Sequence, residues 1–181
     1  VFDGSDARAR ALAALEAAGA ILDHASTIGT SPEVSTSAAI SVGRAQVGST
    51  RATIAGVPRW VFGAEGEPVD RASALVEAAS MGEVLVADTV AALVSDRFTL
   101  APVCNGAYRL VADTPGAADE AGTRPSPERR VKTILMTDVV GSTRTVENIG
   151  DRQWGELVAE HERMTRAEIA LHGGEEVDTT G

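Results

Sequence analysis

Cysteine occurs once in the 181 residues, at Cys104, and lysine once, at Lys132. A lone thiol excludes an internal disulfide framework and any multi-cysteine metal site. Aromatic residues make up only 3% of the chain. Basic groups are in the minority, 16 against 26 acidic, for a formal net charge of −10. The deficit is spread evenly: 8 basic and 12 acidic groups in 1–112, 1 and 4 in 113–128, and 7 and 10 in 129–181. No basic tail or patch offsets phosphate repulsion, which argues against a general nucleic-acid binder. Long apolar runs are missing too. The longest, from Ala11 to Leu22, is interrupted by Glu16 and is too short to span a bilayer, so no membrane segment is expected. No signal peptide precedes it, and the expected location is the cytoplasm. No G-x-x-x-x-G-K occurs, which removes the P-loop nucleotidases, and no G-x-S-x-G elbow marks a serine hydrolase.

The chain is 44% apolar, enough for one ordinary domain with a real core, or one domain and part of another. Residues 5–22 read as a helix with Ser5 or Asp6 as N-cap, and 25–37, rich in Ser, Thr, Gly and Pro, as a loop. Strands are expected at 38–43, 50–54 and 59–63, then a helix from Pro68 to about Ser80. A strand at 83–87, a helix from Asp88 to Val94, and strands near 97–101 and 107–112 follow, the last two joined by the Asn105-Gly106 turn pair. Residues 113–128 hold three prolines and two glycines and read as a disordered linker. Beyond it come a strand from Val131 to Val140, a helix broken near Gly150 and stopped by Gly173-Gly174, and a strand over 175–180. Val1-Phe2 reads as the tail of a strand, and both ends look cut, as in a window from a longer protein. The mixture of strands and helices fits α/β or α+β, and the hairpins favour α+β.

The chemistry-bearing stretch is Thr137-Asp138-Val139-Val140-Gly141-Ser142-Thr143. It sets a carboxylate at the end of a buried strand, just before a small-residue turn that opens a helix. Such a carboxylate suits Mg²⁺, which takes one or two carboxylates together with phosphate oxygens. The turn and helix start offer free backbone N–H groups to a phosphate chain. A structural reading competes with this, in which Asp138 merely begins a turn or caps the helix. Among the histidines, His161 and nearby Trp154 read as core or interface residues and His172 as a helix-end residue, while His24 has no partner at metal spacing.

From Lys132 through TILMTDVVGSTRTVENIGDRQWGELVAEHERM to HGGEEVDTTG, the chain resembles the class III adenylyl/guanylyl cyclases in their bacterial form. The resemblance implies that Asp138 is the first of two metal-binding aspartates and that the Val139 carbonyl adds a metal contact. Val140, Gly141, Ser142 and Thr143 would then cradle the triphosphate. The second aspartate is expected immediately after Gly181. ISVGRAQVGS, VFGAEGEPVDRASALVEAASMGEVLVADTVAALV and ALAALEAAGAI are similar to the back half of the same domain. The resemblance thus implies the C-terminal part of one degenerate copy in 1–112, a linker in 113–128, and the N-terminal part of a second copy in 129–181. It implies an α+β, ferredoxin-like antiparallel sheet with helices on one face. The front half is expected either to complete the back half as a permuted single domain, in cis or between chains, or to stand apart.

Carried over by position, the family's ribose-orienting Asn falls at Asp70 and its transition-state Arg at Ala74, while Arg71 points in another helical direction. The base-reading positions fall at Gly63 and Asp178, and Lys132 sits too early in its strand to substitute. Losing one charge-stabilising donor typically costs roughly 10²–10³ in rate, so the chain alone is expected to be inactive. The implied parent converts ATP, less readily GTP, to a cyclic 3′,5′-nucleotide and pyrophosphate with two Mg²⁺ or Mn²⁺ ions, as a homodimer or pseudo-heterodimer of cyclase domains. The competing expectations are a non-catalytic regulatory or nucleotide-sensing domain, and an unrelated α+β fold with a chance D-x-x-G-S-T.

Overall fold

A computed structural model describes residues 1–3, 6–27, 35–54, 57–103, 105–113 and 130–177. The expectations for Ser5, Cys104, Asp178, the turn at 55–56 and the linker from 114 onward lie outside these residues. Strand β1 (Phe2–Asp3) is followed by helix α1 (Ala7–Thr27), strands β2 (Ser35–Ile54) and β3 (Val57–Glu65), and helix α2 (Glu67–Ala78). Then come β4 (Val84–Ala87), α3 (Asp88–Val94), β5 (Phe98–Pro102), β6 (Ala107–Asp113), β7 (Arg130–Val140) and α4 (Ser142–Leu171).

These elements form an α+β fold around one sheet ordered β1-β7-β2-β4-β6-β5, with β3 paired to the far part of β2. The sheet is mixed rather than antiparallel throughout, because β2 and β4 run parallel and α2 lies between them in sequence as a crossover. Strand β7 enters between β1 and β2 and pairs with β2 along its whole length, from Ala45↔Arg130 to Ser35↔Val140. The segments on either side of the expected linker therefore share one sheet.

Helices cover both faces, not one. Alternation along the strands separates two sets of side chains. Ala38, Ile40 and Val42 of β2, with Val84 and Val86 of β4, pack against Leu15 and Ala18 of α1 and Val90 and Val94 of α3. Met164 of α4 joins this side through Ile21 and Ala25. On the opposite face, Ala39, Leu85 and Ala87 meet Leu75 of α2, and Ala45 and Ile134 meet Ala72. All four residues of β4 are buried, as expected for a strand sandwiched between helices.

Several boundaries differ from the sequence-based expectation for identifiable reasons. Helix α1 has Asp6 as its cap, with the Ala9 N–H donating to Oδ1 at 3.0 Å. It runs on to Thr27 because the Ser26 and Thr27 hydroxyls donate to the carbonyls of Asp23 and His24, at 2.6 and 2.7 Å, within the last turn. The two strands expected at 38–43 and 50–54 are one continuous β2. Gly43 does not end a strand; a Cβ there would lie 3.3 Å from the Pro68 ring, so glycine admits the start of α2 against the sheet. Asn105 (φ 50°) and Gly106 (φ 69°) form the expected tight turn between β5 and β6. The break in α4 falls at Gly150 (φ 78°, ψ 160°). Residues 174–177 do not form the strand expected over 175–180. Beside β1, the Glu175 N–H donates to the Val1 carbonyl at 2.8 Å, and the Glu175 carbonyl accepts from the Val1 terminal ammonium at 2.6 Å.

Candidate functional site

The candidate site is the junction of β7 and α4. Asp138 lies three residues before the turn and is exposed; its register partner is Ser37 of β2. Val139 is paired with Thr36 and Val140 with Ser35, so β2 holds the strand to its last residue. Gly141 then adopts a left-handed conformation (φ 72°, ψ 26°), and Ser142 starts the helix. The Gly141 carbonyl accepts the Thr145 N–H at 3.0 Å and the Thr145 hydroxyl at 3.2 Å. No side chain among the described residues caps this end of α4. The first-turn N–H groups of Ser142 and Thr143 thus keep their capacity to bind an anion, favoured by the helix dipole. Asp138, Val139 and Val140 thus end β7, Gly141 makes the turn, and Ser142 and Thr143 open α4.

The donor set suits a cation shared with a phosphate chain better than a closed protein cage. Among the described residues no group of three or more His, Cys, Asp or Glu side chains is arranged to hold a metal ion. Mg²⁺ needs only one or two carboxylates when phosphate oxygens complete its shell, and Asp138 supplies one. Beside it, the Ser37 hydroxyl is fully buried and has no hydrogen-bond partner among the described residues. A carboxylate at a surface strand end with an orphaned hydroxyl opposite it fits such an ion.

Behind the junction, on the face that α4 covers, His161 Nε2 lies 3.0 Å from the Thr36 hydroxyl, and both residues are buried. Burial pushes the His161 pKa below its ordinary 6.5, against the opposing pull of the Glu162 and Asp138 carboxylates. His161 is therefore a core residue, as its helical spacing suggested. It also lies close enough to feel the charge of Asp138. His172 forms the C-cap of α4, its Nδ1 3.0 Å from the Glu168 carbonyl. His24 Nδ1 pairs with Glu168 Oε1 at 3.0 Å, tying α1 to α4.

The remaining sequence-derived positions are not gathered at this junction. Gly63 is in register with Gly48, whereas Asp138 is in register with Ser37. Their partners stand eleven residues apart along β2, up to about 36 Å for a straight strand. Asp70 and Ala74 are exposed on α2, on the sheet face that carries Asp138. The intervening Ser73 donates its hydroxyl to Met136 Sδ at 3.3 Å, two residues before Asp138. Arg71 reaches instead to the Asn105 carbonyl in the β5–β6 turn, so it is committed to bracing that turn. Lys132 lies near the opposite end of β7, in register with Gly43 and Asp3. A shallow hollow lined by Arg44, Ala45, Gln46, Glu65 and Gly66 is also at that distant end. Sequence reasoning did not single out Ser37 and Thr36, since only the β2–β7 register makes them neighbours of the motif.

No family model, curated protein or solved structure matches the chain. Among the described residues, no helix is long and apolar enough to cross a membrane.

Proposed function

We propose that the chain is a catalytically incomplete cyclase homology domain of the class III nucleotidyl cyclase type, with its two halves in permuted order. The observation that carries this reading is the position of β7. The strand bearing Asp138 inserts between β1 and β2, so the two stretches that resemble opposite halves of the family domain share one sheet. The Val1–Glu175 pair adds support, since it brings the segment after α4 beside β1, where the family's metal hairpin would join the halves. The ferredoxin-like core of that family is part of the proposal.

In this reading Asp138 and the Val139 carbonyl hold Mg²⁺ or Mn²⁺, and the N–H groups following Gly141 hold the triphosphate of ATP or GTP. The ion would supply charge neutralisation for the phosphate oxygens and acidify the attacking hydroxyl. The chain's own contribution is binding and orientation of the phosphate chain. The rest of the family's apparatus is degenerate. Ala74 has no donor for the reacting phosphate, Asp70 replaces the ribose-orienting amide, and Gly63 and Asp178 do not read a base. Gly63 stands far from Asp138 along β2, which suits a site built between two domains, in a homodimer or pseudo-heterodimer. The activity belongs to a longer, cytoplasmic tandem protein, which would convert a nucleoside triphosphate to its cyclic 3′,5′-monophosphate and pyrophosphate.

A second reading, a non-catalytic nucleotide-sensing module, is favoured by the exposed, donor-free methyl at Ala74. A cyclase assay on the longer polypeptide with Mn²⁺ and ATP or GTP separates the two. Cyclic nucleotide formation that is lost in Asp138→Asn supports the enzyme. No product from either nucleotide overturns it and leaves the sensor.

A further inference from the structure

We infer that Ser37 is a positioning residue for Asp138, holding its carboxylate toward the cation; this deepens the proposed function and rests on it. Three buried side-chain hydroxyls lack a hydrogen-bond partner among the described residues: Ser37, Thr133 and Thr165. Thr133 stands in register between Phe2 and Val42, both apolar, and Thr165 is on α4, away from the strand pairing. Ser37 alone has a carboxylate, that of Asp138, as its direct register partner.

Directly opposed residues of an antiparallel pair share a sheet face, with Cβ atoms about 5 Å apart. One χ1 rotation brings a serine hydroxyl within hydrogen-bond reach of an aspartate oxygen at that spacing. The two side chains differ in exposure: Ser37 is 0% exposed, whereas Asp138 opens to solvent. A hydroxyl donating from the buried side would fix one carboxylate oxygen and leave the other facing outward. The neighbouring Thr36 shows the contrast, since its hydroxyl faces the other side of the sheet and is engaged by His161. An unpaired hydroxyl in the interior carries the full cost of desolvation. That cost is offset when the carboxylate turns toward it on loading. Hydrogen-bonding partners of this kind orient metal ligands, and their loss typically lowers metal affinity about 10–100-fold.

Calorimetric titration of Mn²⁺-ATP into the full chain tests this, using Asp138→Asn, Ser37→Ala, Ser37→Thr and Ser37→Val. The expected result is binding that is lost in Asp138→Asn and weakened about 10–100-fold in Ser37→Ala. Ser37→Thr should retain more affinity than Ser37→Val, which has the same volume and no hydroxyl. Thermal unfolding without metal gives a readout that a merely structural serine would not: Ser37→Ala should melt higher than the parent chain, because an unsatisfied hydroxyl is gone. Binding lost in Asp138→Asn but unchanged in Ser37→Ala, or equal in the Thr and Val variants, overturns the role of Ser37 and leaves the proposed function standing. No binding by the parent chain, or equal binding in Asp138→Asn, overturns both.

Discussion

Thr36 Oγ1 and His161 Nε2 share a hydrogen bond of 3.0 Å between side chains 125 residues apart, joining the start of β2 to the middle of α4. Burial keeps His161 less basic than its ordinary 6.5. The unfolded chain therefore takes up a proton near pH 6.5 that the folded chain resists. The contribution of this group to stability is complete above that pH and falls as the pH drops through it. The melting temperature of the parent chain should decline more between about pH 7.5 and 5.5 than that of His161→Gln. An equal decline in the two proteins contradicts this. At pH 7.5, Thr36→Val should cost about 1–3 kcal/mol in urea unfolding, since it leaves the ring nitrogen without its partner.

Gly174 is held by a close approach. A Cβ there would lie 2.8 Å from Ile169 Cγ2 and 2.9 Å from the Phe2 ring, and Phe2 is fully buried. Gly174→Ala should destabilise the chain by about 1–3 kcal/mol through overpacking. Chemical denaturation measures this, and an unchanged midpoint would show that Phe2 and Ile169 have room to shift.

Strand β7 contributes to the same sheet as β1 and β2, although residues 114–129 separate it from the rest in sequence. A protease site introduced within 114–129 and cleaved in the native protein should leave the two pieces associated. They should co-elute in gel filtration and separate only in denaturant. Dissociation under native conditions would be inconsistent with the eleven register pairs from Ala45↔Arg130 to Ser35↔Val140.

Ala74 and Asp70 face solvent from α2, so their identities are not imposed by packing. The double substitution Ala74→Arg with Asp70→Asn should change stability by no more than about 0.5 kcal/mol. A loss of several times that amount in thermal or urea unfolding would assign these positions a structural duty that their exposure does not suggest.

Local chemistry made much of this fold readable in advance. The Asp88–Val94 helix, the Asn105-Gly106 turn, the interruption at Gly150 and the D-x-x-G-S-T junction each depend on neighbours in sequence. The failures share a cause in distant contacts. Gly43 looks like a strand terminator until Pro68 is known to rest on it. Burial of α2 against the second sheet face depends on Ala72 and Leu75 meeting Ala45, Ala39 and Ile134, and no periodicity within α2 tells which face that is. At the site, Asp138 was visible from its motif. Ser37 and Thr36 lie about a hundred residues away in an unremarked Ser/Thr stretch, and only strand register makes them relevant.

The insertion of β7 also sets an order of events during synthesis. Ile40 of β2 finds its partner Leu135 only after everything between them has been made. At ordinary translation rates that is an interval on the order of five to twenty seconds. Once β4 has been made, β2 has a parallel neighbour on one side and an open row of backbone donors and acceptors on the other. A nascent chain of this design is exposed to pairing with other chains until β7 emerges, and protection by a chaperone during that interval should raise the yield of folded protein.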